Sequence, residues 1–216
     1  MTMPTFRAVL FDMDGVVVDT EPIHEEALQR LYAARGWPLA DPRFFAFKGR
    51  TPDEVFGELA DEHGGAADEL AAEKHAHYEL LFEQRGRLIP GVTTFLDALD
   101  RASLPAVLVT SGRRAEVARV FARFGLEGRF RAVVAAEDVT RSKPDPEPYI
   151  AGAAHAGMPP KACLVVEDTV HGVRAGVGAG CTVAAYTGTF PPDLLLAAGA
   201  AFTFDAFDDL AGRIGV

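Results

Sequence analysis

The sequence has few cysteines, no run of basic residues and no long apolar stretch, and each shortage excludes a class of protein. Two cysteines in 216 residues, Cys163 and Cys181, support neither a disulfide scaffold nor a zinc site. Both sit in apolar, strand-like runs, where buried free thiols are expected. No apolar run reaches the roughly 18 residues that a membrane span needs. The formal charge is −10 with no Lys/Arg-rich cluster, which argues against nucleic acid and against an anionic membrane as partner. The N-terminal MTMPTFRAVLF lacks a charged n-region and a long apolar h-region, so no signal peptide is expected and the cytoplasm is the expected location. Repeats and low-complexity segments are absent too. An acidic protein that binds an anion must therefore build a local positive site from a metal, a few Lys or Arg, or helix N-termini.

What is present is the composition of an ordinary globular protein, 49% hydrophobic and 24% charged, in a length that suits one domain or a core with an insertion. The stretch FRAVLFDMDGVVVDTEP, Phe6 to Pro22, organises the rest. Val9, Leu10 and Phe11 end a short apolar run that reads as a buried parallel strand. Asp12 and Asp14 follow where the strand stops, and Gly15 lets the chain turn. Two carboxylates one residue apart share a face of an extended backbone, so they call for a hard cation or a shared proton. Asp19-Thr20-Glu21-Pro22 then reads as a helix start.

Residues 21 to 36 have helical spacing, Thr51-Pro52-Asp53-Glu54 opens a second helix, and a third covers about 66 to 84. No convincing strand lies between 21 and 86. From Leu88 on, strands and helices alternate. Strands are expected at 106–110, 132–136, 162–166, 182–186 and 201–204, with helices at 93–101, 113–124, before Ala156, and at 170–179. The pattern predicts a parallel sheet with helices on both faces, a three-layer α/β/α core. The core comprises 1–19 and 88–216, and 20–87 is an inserted helical domain.

Polar groups collect at the C-terminal ends of these strands: Asp12 and Asp14, then Thr110, Ser111 and Gly112, then Lys143 in a Lys-Pro-Asp-Pro turn, then Glu167 and Asp168. In an open parallel sheet these ends converge on one crevice. Carboxylates hold Mg²⁺ through oxygen. A lysine, a hydroxyl and backbone N–H groups hold phosphate oxygens. One carboxylate can attack and a second can act as acid and base. Taken singly, Thr110-Ser111-Gly112 reads equally as a helix cap, Lys143 as a surface charge, and Glu167-Asp168 as another cap. Their order at successive strand ends is what argues for chemistry.

DMDGV, VTSG, SKPDPEPY and VVEDTVHGVRAG resemble, in order and spacing, the four motifs of the haloacid dehalogenase-like hydrolase superfamily. Within it the chain is most similar to the branch with β-phosphoglucomutase and phosphoglycolate phosphatase, and the helical insert looks like that branch's small α-helical cap. The resemblance implies a Rossmann-like core and an Mg²⁺-dependent phosphatase acting on a small phosphorylated metabolite, a sugar phosphate or similar. Asp12 would be the nucleophile that forms an aspartyl-phosphate, and Asp14 the acid/base. Thr110, Ser111, Gly112 and Lys143 would hold the phosphoryl group. The metal would take Asp12, the Asp14 backbone carbonyl and Asp168, with Glu167 binding directly or one shell out. Cap candidates for substrate are Glu21, His24, Gly49, Arg50 and Lys74. His24 and Lys74 match cap residues of the mutase, but in KGRTPDEV Pro52 stands where the mutase has its phosphate-gripping Arg. Hydrolysis is therefore the reading, with mutase action the alternative and a non-catalytic phosphometabolite-binding protein behind both. A monomer is expected, with a dimer as the alternative.

Overall fold

Ala8–Phe11 (β1) reads AVLF, and all four residues are buried because strands pair with it on both edges. The structure, a computed structural model, describes residues 6–38, 47 and 52–216, and for 52 and 53 the backbone alone. The chain divides into two compact units, one formed by the chain up to Val18 and from Leu88 on, the other by Asp19–Arg87.

The Asp19–Arg87 unit holds α1 (Glu21–Arg35), α2 (Pro52–His63) and α3 (Ala67–Arg85). Leu28, Leu31 and Tyr32 of α1, Val55, Phe56 and Leu59 of α2, Leu70 of α3 and Phe47 form its apolar core. Thr20 stands at the N-cap of α1, but its hydroxyl makes no capping bond. Pro22 in the first turn fixes the helical φ instead. His63, which reads from its helix-end position as a surface residue, is stacked on Trp37 at 4.3 Å between ring centroids.

The other unit adds α4 (Val92–Arg101), β2 (Ala106–Val109), α5 (Arg114–Phe124), β3 (Ala132–Val134), α6 (Glu147–Ala156), β4 (Cys163–Glu167), α7 (Val170–Gly178), β5 (Thr182–Tyr186), α8 (Pro192–Ala197), β6 (Phe202–Phe204) and α9 (Phe207–Ile214). The six strands form one sheet in the order β3-β2-β1-β4-β5-β6, parallel throughout. This is the Rossmann-like parallel sheet with helices that the alternating pattern predicts. The chain winds outward from β1 to β3, then returns past β1 to continue from β4 to β6. That reversal opens a crevice at the carboxyl ends of β1 and β4.

Alternation along β1 divides the core between two faces. Ala8 and Leu10 join Val107, Val165, Val183 and residues of α6 and α7, Tyr149 and Val173 among them. Phe11 faces the other way, with its ring edge-on to Phe95 of α4 at 5.9 Å and to Phe130 at 5.8 Å. Burying each such side chain contributes about 1.5–3 kcal/mol, so the register is strongly held. Phe11 lies opposite Leu108 on β2 and Val166 on β4. Asp12, one residue on, is therefore level with the end of β4.

Candidate active site

Asp12 enters the crevice with its backbone pinned, its N–H donating to Val166 O at 3.0 Å. The loop after it coils tightly, because Met13 O accepts the N–H groups of Val17 at 2.9 Å and Val18 at 3.0 Å. Gly15 makes the coil possible at φ 73°, where a Cβ would land on the Asp168 carboxylate. Asp14 lies in this loop, close enough to Asp12 to raise its pKa.

Lys143 comes from the turn before α6 and is buried. Its ammonium donates to Asp12 Oδ1 at 2.6 Å, to Glu167 Oε1 at 2.8 Å and to Val109 O at 3.1 Å. The turn is tied off by Glu147, which accepts from Thr140 N at 2.9 Å and Arg141 N at 3.1 Å. Those hydrogen bonds, that from the Thr140 backbone first, hold the Glu147 carboxyl below its usual range.

Glu167 is the last residue of β4. Strand alternation turns it toward α6, where Tyr149 donates its hydroxyl to Oε1 at 2.8 Å. Oε2 accepts from Asp168 N at 3.0 Å, Thr169 N at 3.0 Å and Thr169 Oγ1 at 3.1 Å. Thr169 in turn caps α7 by accepting from Gly172 N at 3.0 Å. Gly172 has no Cβ because one would occupy the Glu167 carboxylate. Asp168, fully buried, accepts a short hydrogen bond from Thr189 Oγ1 on Oδ2.

Thr110 follows β2 and is buried, and its Oγ1 accepts from Gly112 N at 2.9 Å. That bond orients the hydroxyl so that its proton is available to donate elsewhere. Ser111 is exposed. Glu116 and Glu137 take the next N–H groups, of Arg113 at 2.8 Å and Arg114 at 3.0 Å, and so hold the start of α5.

The electrostatics are one-sided. Three buried carboxylates, Asp12, Glu167 and Asp168, meet one ammonium. Burial pushes the Asp12 carboxyl up to about 7, with Lys143 opposing and Glu167 and Asp14 adding to the rise. For Lys143, burial opposes the charge, but Asp12 and Glu167 outweigh it and hold the ammonium above its ordinary value. Burial alone would also raise Glu167, yet Lys143 and the hydrogen bonds hold it low. Burial, with Glu167 next, raises Tyr149 far above its ordinary value, so it is a neutral donor.

Ligand oxygens of Asp12, Glu167 and Asp168 lie within 4.8 Å of one another. An all-oxygen set with surplus negative charge fits a hard divalent cation such as Mg²⁺. Since the two Glu167 oxygens already accept from five donors between them, Asp12 and Asp168 would be the better-placed direct ligands of such a cation.

In the other unit, Glu21 opens α1, and His24 Nδ1 lies 2.5 Å from Lys74 Nζ. The His24 ring stacks on Tyr78 at 4.4 Å. Burial, then the charge of Lys74, holds His24 well below its ordinary pKa, so it is a neutral acceptor for the ammonium. Gly49 and Arg50, like Lys48 and the side chain of Pro52, lie outside the described residues. Two contributors carry no role in the sequence reading. Tyr149 stands in SKPDPEPY, where only its place in the motif could have drawn attention. Thr189 stands in TGTFPP, which carries no such signal.

A model of the haloacid dehalogenase-like hydrolase family matches residues 9–186. The chain is 30% identical over 191 residues to validoxylamine A 7'-phosphate phosphatase of Streptomyces hygroscopicus subsp. limoneus, covering 88% of this chain and 90% of that protein. It is 34% identical over 183 residues to hexitol phosphatase A of Escherichia coli, covering 83% and 82%. The crystal structure of a conserved haloacid dehalogenase-like protein from Agrobacterium tumefaciens superposes with a TM-score of 0.83 at 28% identity, over 97% of this chain and 98% of that one.

Proposed function

The chain belongs to the haloacid dehalogenase-like hydrolase family, and from that premise we propose that it is an Mg²⁺-dependent phosphatase. Its substrate class is the phosphate monoester of a small polyhydroxylated metabolite, a sugar or polyol. The observation that carries the reading is the buried Asp12–Lys143 pair at 2.6 Å, set at the reversal of the sheet beside Glu167 and Asp168. The similarity to a hexitol phosphatase and to a validoxylamine A 7'-phosphate phosphatase supports the substrate class.

In this mechanism the Asp12 carboxylate attacks phosphorus and the ester P–O bond breaks, leaving an aspartyl-phosphate. Asp14 gives its proton to the departing alkoxide. It then takes a proton from the water that attacks the aspartyl-phosphate, which releases inorganic phosphate and restores Asp12. Lys143 faces the transferring group, and Thr110 donates its hydroxyl to a phosphoryl oxygen beside Ser111. Glu167 holds Lys143 in place. Asp12, Asp168 and the Asp14 backbone carbonyl would hold Mg²⁺, which when bound supplies the positive charge that the buried carboxylates and the phosphoryl group lack. The Asp19–Arg87 unit is read as the cap, with Glu21, His24, Gly49, Arg50 and Lys74 as its substrate-facing candidates, in a cytoplasmic enzyme that works as a monomer.

A panel of sugar, polyol and other small phosphate monoesters, assayed for phosphate release with Mg²⁺ and with chelator, tests this. Metal-dependent release, strongest on polyhydroxylated esters, is expected. Failure on every ester, or equal rates in chelator, would overturn it.

A further inference from the structure

We propose that Thr189 is a positioning residue for the cation site, one that sets the metal affinity of Asp168 through a hydrogen bond; this rests on the reading of that site given above. Thr189 lies in the loop after β5, outside all four motifs. The loop is built to deliver it. Thr187 N donates to Phe204 O at 3.0 Å and the Thr187 hydroxyl to the same oxygen at 3.3 Å, which ties one end to β6. Phe190 is buried in the apolar core and ties the other. Between these anchors Thr189 Oγ1 donates to Asp168 Oδ2.

Gly15 closes on the same carboxylate oxygen, beside Thr189. A Cβ at Gly15 would overlap Asp168 Oδ2 and lie 3.0 Å from Thr189 Oγ1. Asp168 Oδ2 is therefore confined by the Gly15 backbone and held by the Thr189 hydroxyl. The terminal torsion of an aspartate is otherwise broad and roughly two-fold. With Oδ2 held, the carboxylate plane is fixed, and so is the place of its other oxygen relative to Asp12. Threonine's branched side chain is also stiff at χ1, which makes it a firmer clamp than a longer polar side chain. Without the clamp, the ordering of Asp168 would fall on the binding step and weaken it.

The test is Mg²⁺ binding to the full chain without substrate, by titration calorimetry, for the parent, Thr189→Val, Thr189→Ala and Thr189→Ser. Loss of the hydroxyl should raise the Kd for Mg²⁺ about 10- to 100-fold, the usual effect of removing an outer hydrogen bond to a metal ligand. Thr189→Ser should restore it to within about threefold, because the hydroxyl and not the methyl carries the effect. In the phosphate-release assay the Mg²⁺ concentration for half activity should rise in Thr189→Val, with kcat recovering at saturating metal. Binding by Thr189→Val and Thr189→Ala within twofold of the parent would overturn the assignment, as would a serine variant as weak as valine. A parent chain that itself fails to bind Mg²⁺ would instead bring down the cation site as a whole.

Discussion

The Lys143 ammonium lies 2.6 Å from Asp12 Oδ1, although 131 residues separate the two in the chain. In the proposed mechanism the group that faces the phosphate and the group that attacks it are thus held as one buried ion pair. Lys143→Met should lower kcat/KM by about 10²- to 10³-fold, the range for losing one preorganised charge-stabilising donor. It also leaves Asp12 and Glu167 without the cation they share. Urea unfolding in chelator should show a loss of about 3 kcal/mol or more, and added Mg²⁺ should recover part of it. Unchanged stability in chelator would mean that the pair does not hold the site.

Asp12 also makes stability depend on pH. Its folded pKa, about 7, stands above the unfolded value of 3.8. The folded state thus binds more protons between these values, and the carboxylate costs stability as pH rises. The penalty is absent below about pH 4, grows to pH 7 and levels off above it. Asp12→Asn should therefore be more stable than the parent in metal-free buffer at pH 8, by about 1–2 kcal/mol. This is less than the full shift at about 1.4 kcal/mol per unit implies, because Lys143 loses a partner. The gain should vanish at pH 4. Urea titrations across pH 4–9 check this, and a gain independent of pH would contradict it.

Gly15 and Gly125 separate two costs. Both have positive φ, 73° and 65°, but only at Gly15 would a Cβ meet neighbouring atoms, those of Asp168 and Thr189. Gly125→Ala should cost about 1 kcal/mol, from the left-handed backbone alone. Gly15→Ala should cost more and should also weaken Mg²⁺ binding. Equal stability losses with unchanged metal affinity would show that the close approach is unimportant.

Asp168→Ala should lower Mg²⁺ affinity far more than Thr110→Ala. The first removes a charged oxygen from the cluster around Asp12. The second removes a hydroxyl proposed to touch phosphate only, one hydrogen bond to a charged group, worth about 1.5–3 kcal/mol. Calorimetric titration of both variants decides, and equal metal dependence would contradict the division of roles.

The sheet was legible because buried parallel strands are nearly continuous apolar runs, as in AVLF and CLVVE. Their ends were legible because a carboxylate has no place inside such a run. That is how Asp12, Lys143, Glu167 and Asp168 could be expected to meet, while what each does belongs to the proposal. The roles of two hydroxyls, those of Thr20 and Thr189, were not legible. Thr20 sits at an N-cap without capping, and Thr189 in an unremarkable loop bonds Asp168. A hydroxyl finds its partner through tertiary placement, which local spacing does not encode. Nor was the saturation of Glu167, whose five donors come from α6, the Lys143 turn and its own strand end.

The central claim, that Asp12 is the nucleophile of a phosphatase, is tested most directly by phosphate release from the best ester of the panel, comparing the parent with Asp12→Asn at saturating Mg²⁺. An amide cannot form the aspartyl-phosphate, so the account predicts that Asp12→Asn, folded and at least as stable in metal-free buffer at pH 8, releases no phosphate above background. Turnover by Asp12→Asn at the parent's rate would contradict it.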